Sequence, residues 1–317
     1  MTYQSAPISN DLNTLPQLPG WVISGRAETL ETVAFRSGAA LSVLDQLVGD
    51  PRHGVPVKLL ANRLALNAAT TTSKLEGRLA READIRDAYH LTPPGEARGP
   101  DGDLLAFWRD GGRLRPNVTG EIADLVGAEY ASEVGVWLDA GLERARTHGP
   151  LSGCVAALRA VLEADDRAER VACLLSDSVL ARAVNWKTVL PVTARRLKKA
   201  ALRDLTADGQ GANLAVQAQI LESFEETIRL ARDLARRADA LRVIAPKLRA
   251  KGSGAAVDLF LTEDAVAPAS MLSPCIRGNT IPMTDRAARR FCERLVELGV
   301  ARELTGRSTF RLYGIAP

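Results

Sequence analysis

The chain of 317 residues is 46% hydrophobic and 25% charged, which is typical of a globular protein with one large core or two smaller ones. Its net charge of +3 is too small to indicate a nucleic-acid partner by itself. The sequence also lacks a run of about 18 apolar residues, so we expect no membrane-spanning helix. Because aromatic residues make up only 4% while strong helix formers recur throughout, we expect an all-α fold.

Residues 1–26 are predicted to be an irregular leader, which Pro16, Pro19 and Gly20 interrupt. It contains no cationic segment followed by an apolar run, so the sequence gives no sign of a secretory signal. The four cysteines are widely scattered, and their spacing fits neither a zinc site nor a dense set of disulfides. We therefore expect reduced thiols, no metal, no cofactor and a cytoplasmic location.

Residues 27–251 are predicted to form one multi-helical domain. Apolar residues at three- and four-residue spacing indicate helices near residues 28–48, 57–76, 82–90, 104–108, 122–125, 132–146, 155–163, 167–175, 179–184 and 193–205. The longest periodic run covers residues 213–245, and Pro246 ends or kinks it because proline cannot donate the backbone hydrogen bond of a helix. The sequence Lys251-Gly252-Ser253-Gly254 is the best candidate for a domain boundary.

The excess of positive charge lies mostly before this boundary. Residues 182–251 contain fifteen lysines and arginines against seven acidic residues, whereas residues 252–317 contain eight against seven. On a helix, the densest basic run would form a stripe that contacts the phosphates of a nucleic acid without reading its sequence. A solvated face beside a loop would explain this run equally well. Its members are Arg195, Arg196, Lys198 and Lys199.

Residues 252–317 contain the elements of a winged helix-turn-helix in chain order. Helices are predicted over residues 255–264 and 267–272, followed by a turn over residues 273–282. Thr284 can cap the next helix, which is basic and ends at Gly299. Two short extended segments follow, and a tight turn at Thr305-Gly306-Arg307 joins them as a hairpin. We therefore predict an all-α body that carries a C-terminal winged helix-turn-helix.

In a DNA-binding version of this module, the basic helix enters the major groove and the hairpin reaches the backbone or the minor groove. The residues predicted to contact double-stranded DNA are Thr284, Arg286, Arg289, Arg290, Arg294, Arg307 and Arg311. Winged helices also serve as protein-docking modules, and four arginines on one helix also fit a solvated face. The sequence indicates no catalytic residues, so we expect a non-enzymatic DNA-binding protein, with a helical body that dimerises or receives a signal.

Six segments near the two ends of the chain carry a family resemblance. They are residues 34–41, 63–69, 77–88, 285–290, 294–299 and 302–314. With these segments the chain resembles the bacterial domain-of-unknown-function family 1403, which is found mainly in alphaproteobacteria and often on plasmids. The resemblance assigns no activity, and its plasmid context implies a regulator or maintenance factor of a plasmid or mobile element.

A second resemblance concerns Fic proteins. Thr72, Glu76 and Gly77 are spaced as in the inhibitory helix motif of that family, and the segment from residue 295 to residue 307 looks like the winged helix that ends many Fic proteins. None of the three histidines opens the loop with which Fic enzymes bind phosphate and abstract a proton. The alternative function is therefore a protein-interaction or regulatory module without this loop. Glu76 would then be regulatory, or simply a residue on a helix surface.

Overall fold

A computed structural model describes residues 15–25, 28–93, 95–248, 251–307 and 309–315. About 66% of the chain is helical and strands are few, which confirms the expected all-α class. The described residues contain thirteen α-helices. They are α1 (Gly20–Ile23), α2 (Leu30–Gly49), α3 (Val57–Leu75), α4 (Glu82–Leu91), α5 (Gly99–Gly111), α6 (Thr119–Val126), α7 (Val134–His148), α8 (Pro150–Ala164), α9 (Glu169–Ala183), α10 (Lys199–Thr206), α11 (Ala212–Ile244), α12 (Ser253–Phe260) and α13 (Asp285–Glu297).

The chain divides into two compact units, each built from separate stretches of sequence. One unit consists of the described parts of Leu18–Leu41 and Ala61–Thr227. The other consists of the described parts of Met1–Gln17, Ser42–Leu60 and Ile228–Pro317. This division falls inside α11. Gly252 adopts a left-handed φ of +82° as the N-cap of α12, so the glycine-rich segment begins a helix instead of forming a linker.

The first unit is built around a tight packing of α7, α8 and α9. Two glycines allow this approach, because a Cβ atom on Gly153 would lie 2.6 Å from Ala145 Cβ and 2.7 Å from the carbonyl oxygen of Gly141. Nearly every residue of α9 is buried, including Ser176 and Asp177. The unit therefore places polar groups, as well as apolar ones, in its core.

The C-terminal part of the second unit combines short helices with a small sheet. Strands β1 (Ala301–Glu303) and β2 (Tyr313–Ile315) pair in antiparallel fashion, and Ala301 lies opposite Ile315. A third chain segment joins this sheet, since Val266 and Tyr313 exchange backbone hydrogen bonds of 2.7 and 2.9 Å. The rings of Phe260 and Phe291, 6.3 Å apart between centroids, link α12 to α13 in the core beneath.

Several local predictions are confirmed and three are corrected. The helix expected over residues 213–245 is α11, which extends over about 50 Å at 1.5 Å per residue, and Pro246 lies in a 3₁₀ turn just after it. The leader is not irregular throughout, because Gly20–Ile23 forms one helical turn; residues 1–14 and 26 lie outside the described residues. The expected basic helix over residues 193–205 is interrupted, since Leu197 is extended with ψ at 137°. The hairpin is connected by residues 304–312 rather than by a tight turn.

Candidate functional site

The helix α13 is strongly two-sided. Its buried face consists of Ala288, Phe291, Cys292 and Leu295. The Thr284 hydroxyl accepts a hydrogen bond of 3.3 Å from the Ala287 amide, so this threonine is the N-cap that the sequence predicted. Because the apolar residues repeat at three- and four-residue spacing, the basic residues of the helix are left on the solvent side.

Three arginines form a stripe along this exposed face. Arg286, Arg290 and Arg294 follow one another at intervals of four residues, a spacing that places their side chains on one side of a helix. Among the described residues neither Arg286 nor Arg290 forms an ion pair, whereas Arg294 contacts Glu297 at 2.9 Å. Arg289 lies off this stripe and contacts Asp285 at 2.8 Å. Both pairs are largely exposed and therefore weak, so a phosphate can replace the carboxylate.

The stripe borders a groove of about 700 Å³. Arg290, Phe291 and Arg294 line it from α13, and Lys247 and Leu248 line it from the segment after α11. Lys247 thus adds a cation to this face, and the sequence analysis did not single it out. The sequence does hold a sign of this position. Lys247 directly follows Pro246, the residue predicted to end the long helix, and a lysine where the chain turns is expected to lie at the surface.

The hairpin loop, residues 304–312, contributes two of the predicted arginines. Arg307 and Arg311 are both exposed, and Arg311 Nε donates a 3.0 Å hydrogen bond to the Arg307 carbonyl. The one acidic residue of the hairpin is turned inward, since Glu303 Oε1 accepts hydrogen bonds from the amides of Thr305 and Gly306 at 2.8 and 2.9 Å. Although burial opposes the effect, these bonds hold the pKa of Glu303 below its usual value.

The predicted phosphate-contacting run in the first unit is largely occupied by internal ion pairs. Arg195 contacts Glu226 at 2.5 Å, and Arg196 also pairs with Glu226. Lys199 Nζ contacts Glu169 at 2.9 Å and donates a 2.6 Å hydrogen bond to a backbone carbonyl of α3. Of the four residues, Lys198 is exposed and has no ion pair within the described part of the chain. Contacts between this run and nucleic acid remain a prediction.

Comparison with protein families places the whole described chain in one family. The model described as "Protein of unknown function (DUF1403)" matches residues 6–315. The chain belongs to this family. A search of the curated proteins gives no match. The match extends over both compact units, so the basic helix and the helical body are parts of one DUF1403 sequence.

In this DUF1403 protein, Glu76 is engaged rather than free. It follows α3, and Gly77 adopts a φ of +80° as the helix stop that the sequence predicted. Arg170 Nε lies 2.8 Å from Glu76 Oε1, and the same guanidinium lies over the ring of Phe107 at 5.4 Å. This half-buried contact gives Glu76 a role in joining α3 to α9, and nothing in it requires a regulatory function.

A second polar cluster lies between α4 and α5. His90 and Arg109 are both buried, with Arg109 Nη1 3.4 Å from His90 Nε2. The Arg109 guanidinium also lies over the Tyr89 ring at 4.8 Å, and the adjacent Arg86 and Asp87 form an ion pair of 2.7 Å. These groups contact one another, so the cluster holds two helices together and presents no open nucleophile.

Asp177 is the most unusual ionisable group of the first unit. Its Oδ1 accepts hydrogen bonds from the amides of Val192 and Thr193 at 3.0 and 2.9 Å, which fixes the segment after α9. Burial raises the pKa of Asp177 to about 7, because the two amides offset only part of the cost of desolvating the charge. Burial likewise raises the pKa of Cys154 and Cys173, so these thiols are unreactive.

Within the described residues, no three His, Cys, Asp or Glu side chains lie close enough together to hold a metal ion. The four cysteines form no disulfide with one another. None of the helices described above combines the length and apolar character needed to cross a bilayer.

Proposed function

We propose that this protein binds double-stranded DNA without catalysing a reaction, and that residues 253–315 form a winged helix-turn-helix. The order of elements supports this assignment: α12, the strand-like Val266, a short helical turn, α13 and the β1–β2 hairpin. The loop between the short turn and α13, residues 273–284, is longer than the three or four residues usual in a helix-turn-helix. In this proposal α13 is the recognition helix and residues 304–312 are the wing.

The observation that carries the proposal is the stripe formed by Arg286, Arg290 and Arg294. Guanidinium groups bind phosphates and the major-groove edge of guanine in bidentate geometry. A capped helix holds the three at fixed spacing, and its opposite face is anchored by Phe291 and Leu295. Such a rigid row of cations fits a helix that enters the major groove.

The near-balanced charge of residues 252–317, eight basic against seven acidic, does not oppose this proposal. Three acidic residues near α13 are engaged, Asp285 with Arg289, Glu297 with Arg294, and Glu303 with the amides of its own turn. Glu293 is exposed and lines the same groove as Arg290 and Arg294. Without ion pairs among the described residues, Arg286, Arg290 and Lys247 outnumber Glu293 on the exposed face of α13. We propose that Lys247 contacts the DNA backbone beside the groove, whereas Thr284 acts mainly as the helix cap.

The test is duplex binding by the full-length protein, measured by fluorescence anisotropy over a series of salt concentrations. We expect the Arg286→Ala and Arg290→Ala double variant to bind more weakly and to show a log–log salt slope smaller by about 2, since each lost phosphate contact removes about one released counterion. The matched control is Arg144→Ala with Arg146→Ala, which removes two exposed arginines from α7. Absence of duplex binding by the unmodified protein at low salt would refute the proposal.

The biological role that we propose is regulation or maintenance of a plasmid or mobile element. The support is the plasmid context that the sequence resemblance implies. Mapping the tagged protein across the DNA of its host would test this role, since a regulator occupies discrete sites. Uniform occupancy, or none, would contradict it.

A second candidate function is a protein-interaction module, and one feature of the first unit favours it. The rings of Trp21 and Phe35 lie 6.0 Å apart, yet 70% and 57% of these residues are exposed. Exposed aromatic clusters of this kind are typical of binding surfaces. A homodimer formed through this patch would have twice the mass of the 34.0 kDa chain by light scattering, and Trp21→Ala would convert it to a monomer.

A further inference from the structure

The hairpin loop contains a residue whose conformation and exposure are both unfavourable. Phe310 has a φ of +54°, in the left-handed region that bulky side chains rarely occupy. The other two non-glycine residues with positive φ in the described chain are Asn185 and Asp208, whose short polar side chains tolerate this region. Phe310 is also 75% exposed, so burial within the described protein does not compensate for the strained backbone.

The surroundings of Phe310 are cationic. Arg307 and Arg311 flank it, and Arg302 is exposed on the neighbouring strand β1. Against these three arginines the hairpin from residue 301 to residue 315 contains a single acidic residue, Glu303, whose carboxylate is held by the turn amides. An exposed aromatic ring between arginines complements a surface with anionic groups at its rim and apolar groups inside. A DNA duplex offers such a surface in its groove, where the phosphates form the rim and the stacked bases form the apolar interior.

We propose that Phe310 is a wedge that enters the minor groove and partly unstacks one base step of the bound duplex. This inference rests on the proposed function and assigns a ligand contact to a residue that the sequence analysis did not identify. Minor-groove proteins insert phenylalanine and other apolar side chains between base pairs in this way, and the kinked DNA then contacts more of the protein. Pyrimidine–purine steps unstack most easily, so the wedge favours TA and CA steps.

The left-handed backbone gives the ring its outward direction. Two hydrogen bonds join residues on either side of Phe310, because Leu304 N donates to the Leu312 carbonyl at 2.8 Å and Arg311 Nε donates to the Arg307 carbonyl at 3.0 Å. Such bonds reduce the conformational freedom that Phe310 loses on binding, which makes stacking on a base more favourable. Strained backbone of this kind is commonly retained where a side chain must contact a ligand.

The experiment uses the full-length protein and a duplex of repeated TA steps in which 2-aminopurine replaces selected adenines. The fluorescence of 2-aminopurine rises when the base is unstacked, and anisotropy gives the affinity in the same titration. We expect the unmodified protein to raise the fluorescence. Phe310→Ala should abolish the rise and weaken binding about tenfold, a loss typical of one stacked aromatic ring. The salt slope should not change, because no charge is removed.

Two further variants test whether the loss of fluorescence has a cause other than the missing Phe310 ring, namely poor folding or the loss of any exposed apolar side chain. Phe310→Gly removes the ring and also relieves the left-handed strain, so a loss of fluorescence shared by the alanine and glycine variants is not caused by poor folding. Leu79→Ala is the control, since it removes a large apolar side chain that is 94% exposed on the other unit and should leave the fluorescence and the affinity unchanged.

The outcomes distinguish this inference from the proposed function. Suppose that the unmodified protein binds the duplex and that the Phe310→Ala variant raises the 2-aminopurine fluorescence to the same level. The proposed wedge role of Phe310 is then wrong, and the proposed DNA-binding function stands. If neither the protein nor its variants bind the duplex at low salt, the proposed function and the wedge are both wrong. A loss of fluorescence confined to the two Phe310 variants supports the wedge.

Discussion

Asp177 offers the most direct test of how burial controls this fold. Replacing it with asparagine keeps the shape of the side chain and the oxygen that accepts from the amides of Val192 and Thr193. The substitution removes the ability to ionise and replaces the buried Oδ2 by an amide NH2 group, whose cost does not vary with pH. Asparagine resembles protonated aspartic acid in shape and is neutral at every pH. The difference in pH dependence between the two proteins therefore measures the free energy lost when Asp177 ionises inside the first unit.

The sign of the pH dependence follows from the raised pKa. The folded protein holds the Asp177 proton up to about pH 7, whereas the unfolded chain releases it near the ordinary value of 3.8. Stability from this group is therefore complete below about pH 4 and is lost as the pH rises through about 7. Each pH unit of that interval costs about 1.4 kcal/mol, so the free energy of unfolding falls by about 4 kcal/mol across it.

The assay is urea denaturation of both proteins at several pH values, with the difference in the free energy of unfolding as the result. The unmodified protein should lose stability relative to Asp177→Asn between about pH 4 and about pH 7. Asp50→Asn is the control: side-chain hydrogen bonds from Arg52 lower the pKa of Asp50 to about 2, so its contribution is lost only as the pH falls below about 4 and should stay constant between about pH 4 and about pH 7. If the two curves for the unmodified protein and Asp177→Asn run parallel across this range, the carboxyl is not held protonated and the reasoning is wrong.

Two predictions concern local structure. Thr284→Ala removes the hydroxyl that accepts from the Ala287 amide and should destabilise the protein by about 1 kcal/mol in urea denaturation, whereas Thr284→Ser should retain most of the stability. Gly153→Ala places a methyl group 2.6 Å from Ala145 Cβ and should cost about 1–3 kcal/mol. The control Gly135→Ala has open space on α7 and should be neutral or stabilising; equal effects of the two glycine substitutions would contradict the close packing.

The features that the sequence predicted well are those with a local physical cause. The cap at Thr284, the helix stop at Gly77 and the end of α11 before Pro246 each depend on residues within one helical turn. The exposed arginines of α13 were predictable for the same reason, because the apolar residues of that helix define its buried face. Local signals of this kind do not depend on where the rest of the chain lies.

The features that were missed depend on distant partners. The basic run near Arg195 is broken by the extended Leu197, and its two arginines both pair with Glu226, about thirty residues later in the sequence. Val266 joins the sheet through a single bridge, which is too short to leave an alternating pattern. The left-handed, exposed conformation of Phe310 cannot be predicted from the sequence either, because phenylalanine in a short extended segment is typical of a buried strand.

The arrangement of charge also limits the kind of DNA binding that we propose for this protein. Arg286, Arg290 and Lys247 are the cations of the α13 face that keep no carboxylate partner among the described residues, and the hairpin adds its exposed arginines. With so few phosphate contacts the salt slope must be shallow and non-specific binding weak. Useful affinity then depends on contacts that electrostatics does not supply, namely base contacts from α13 and stacking by Phe310. A steep salt dependence would mean that cations outside this face carry the binding.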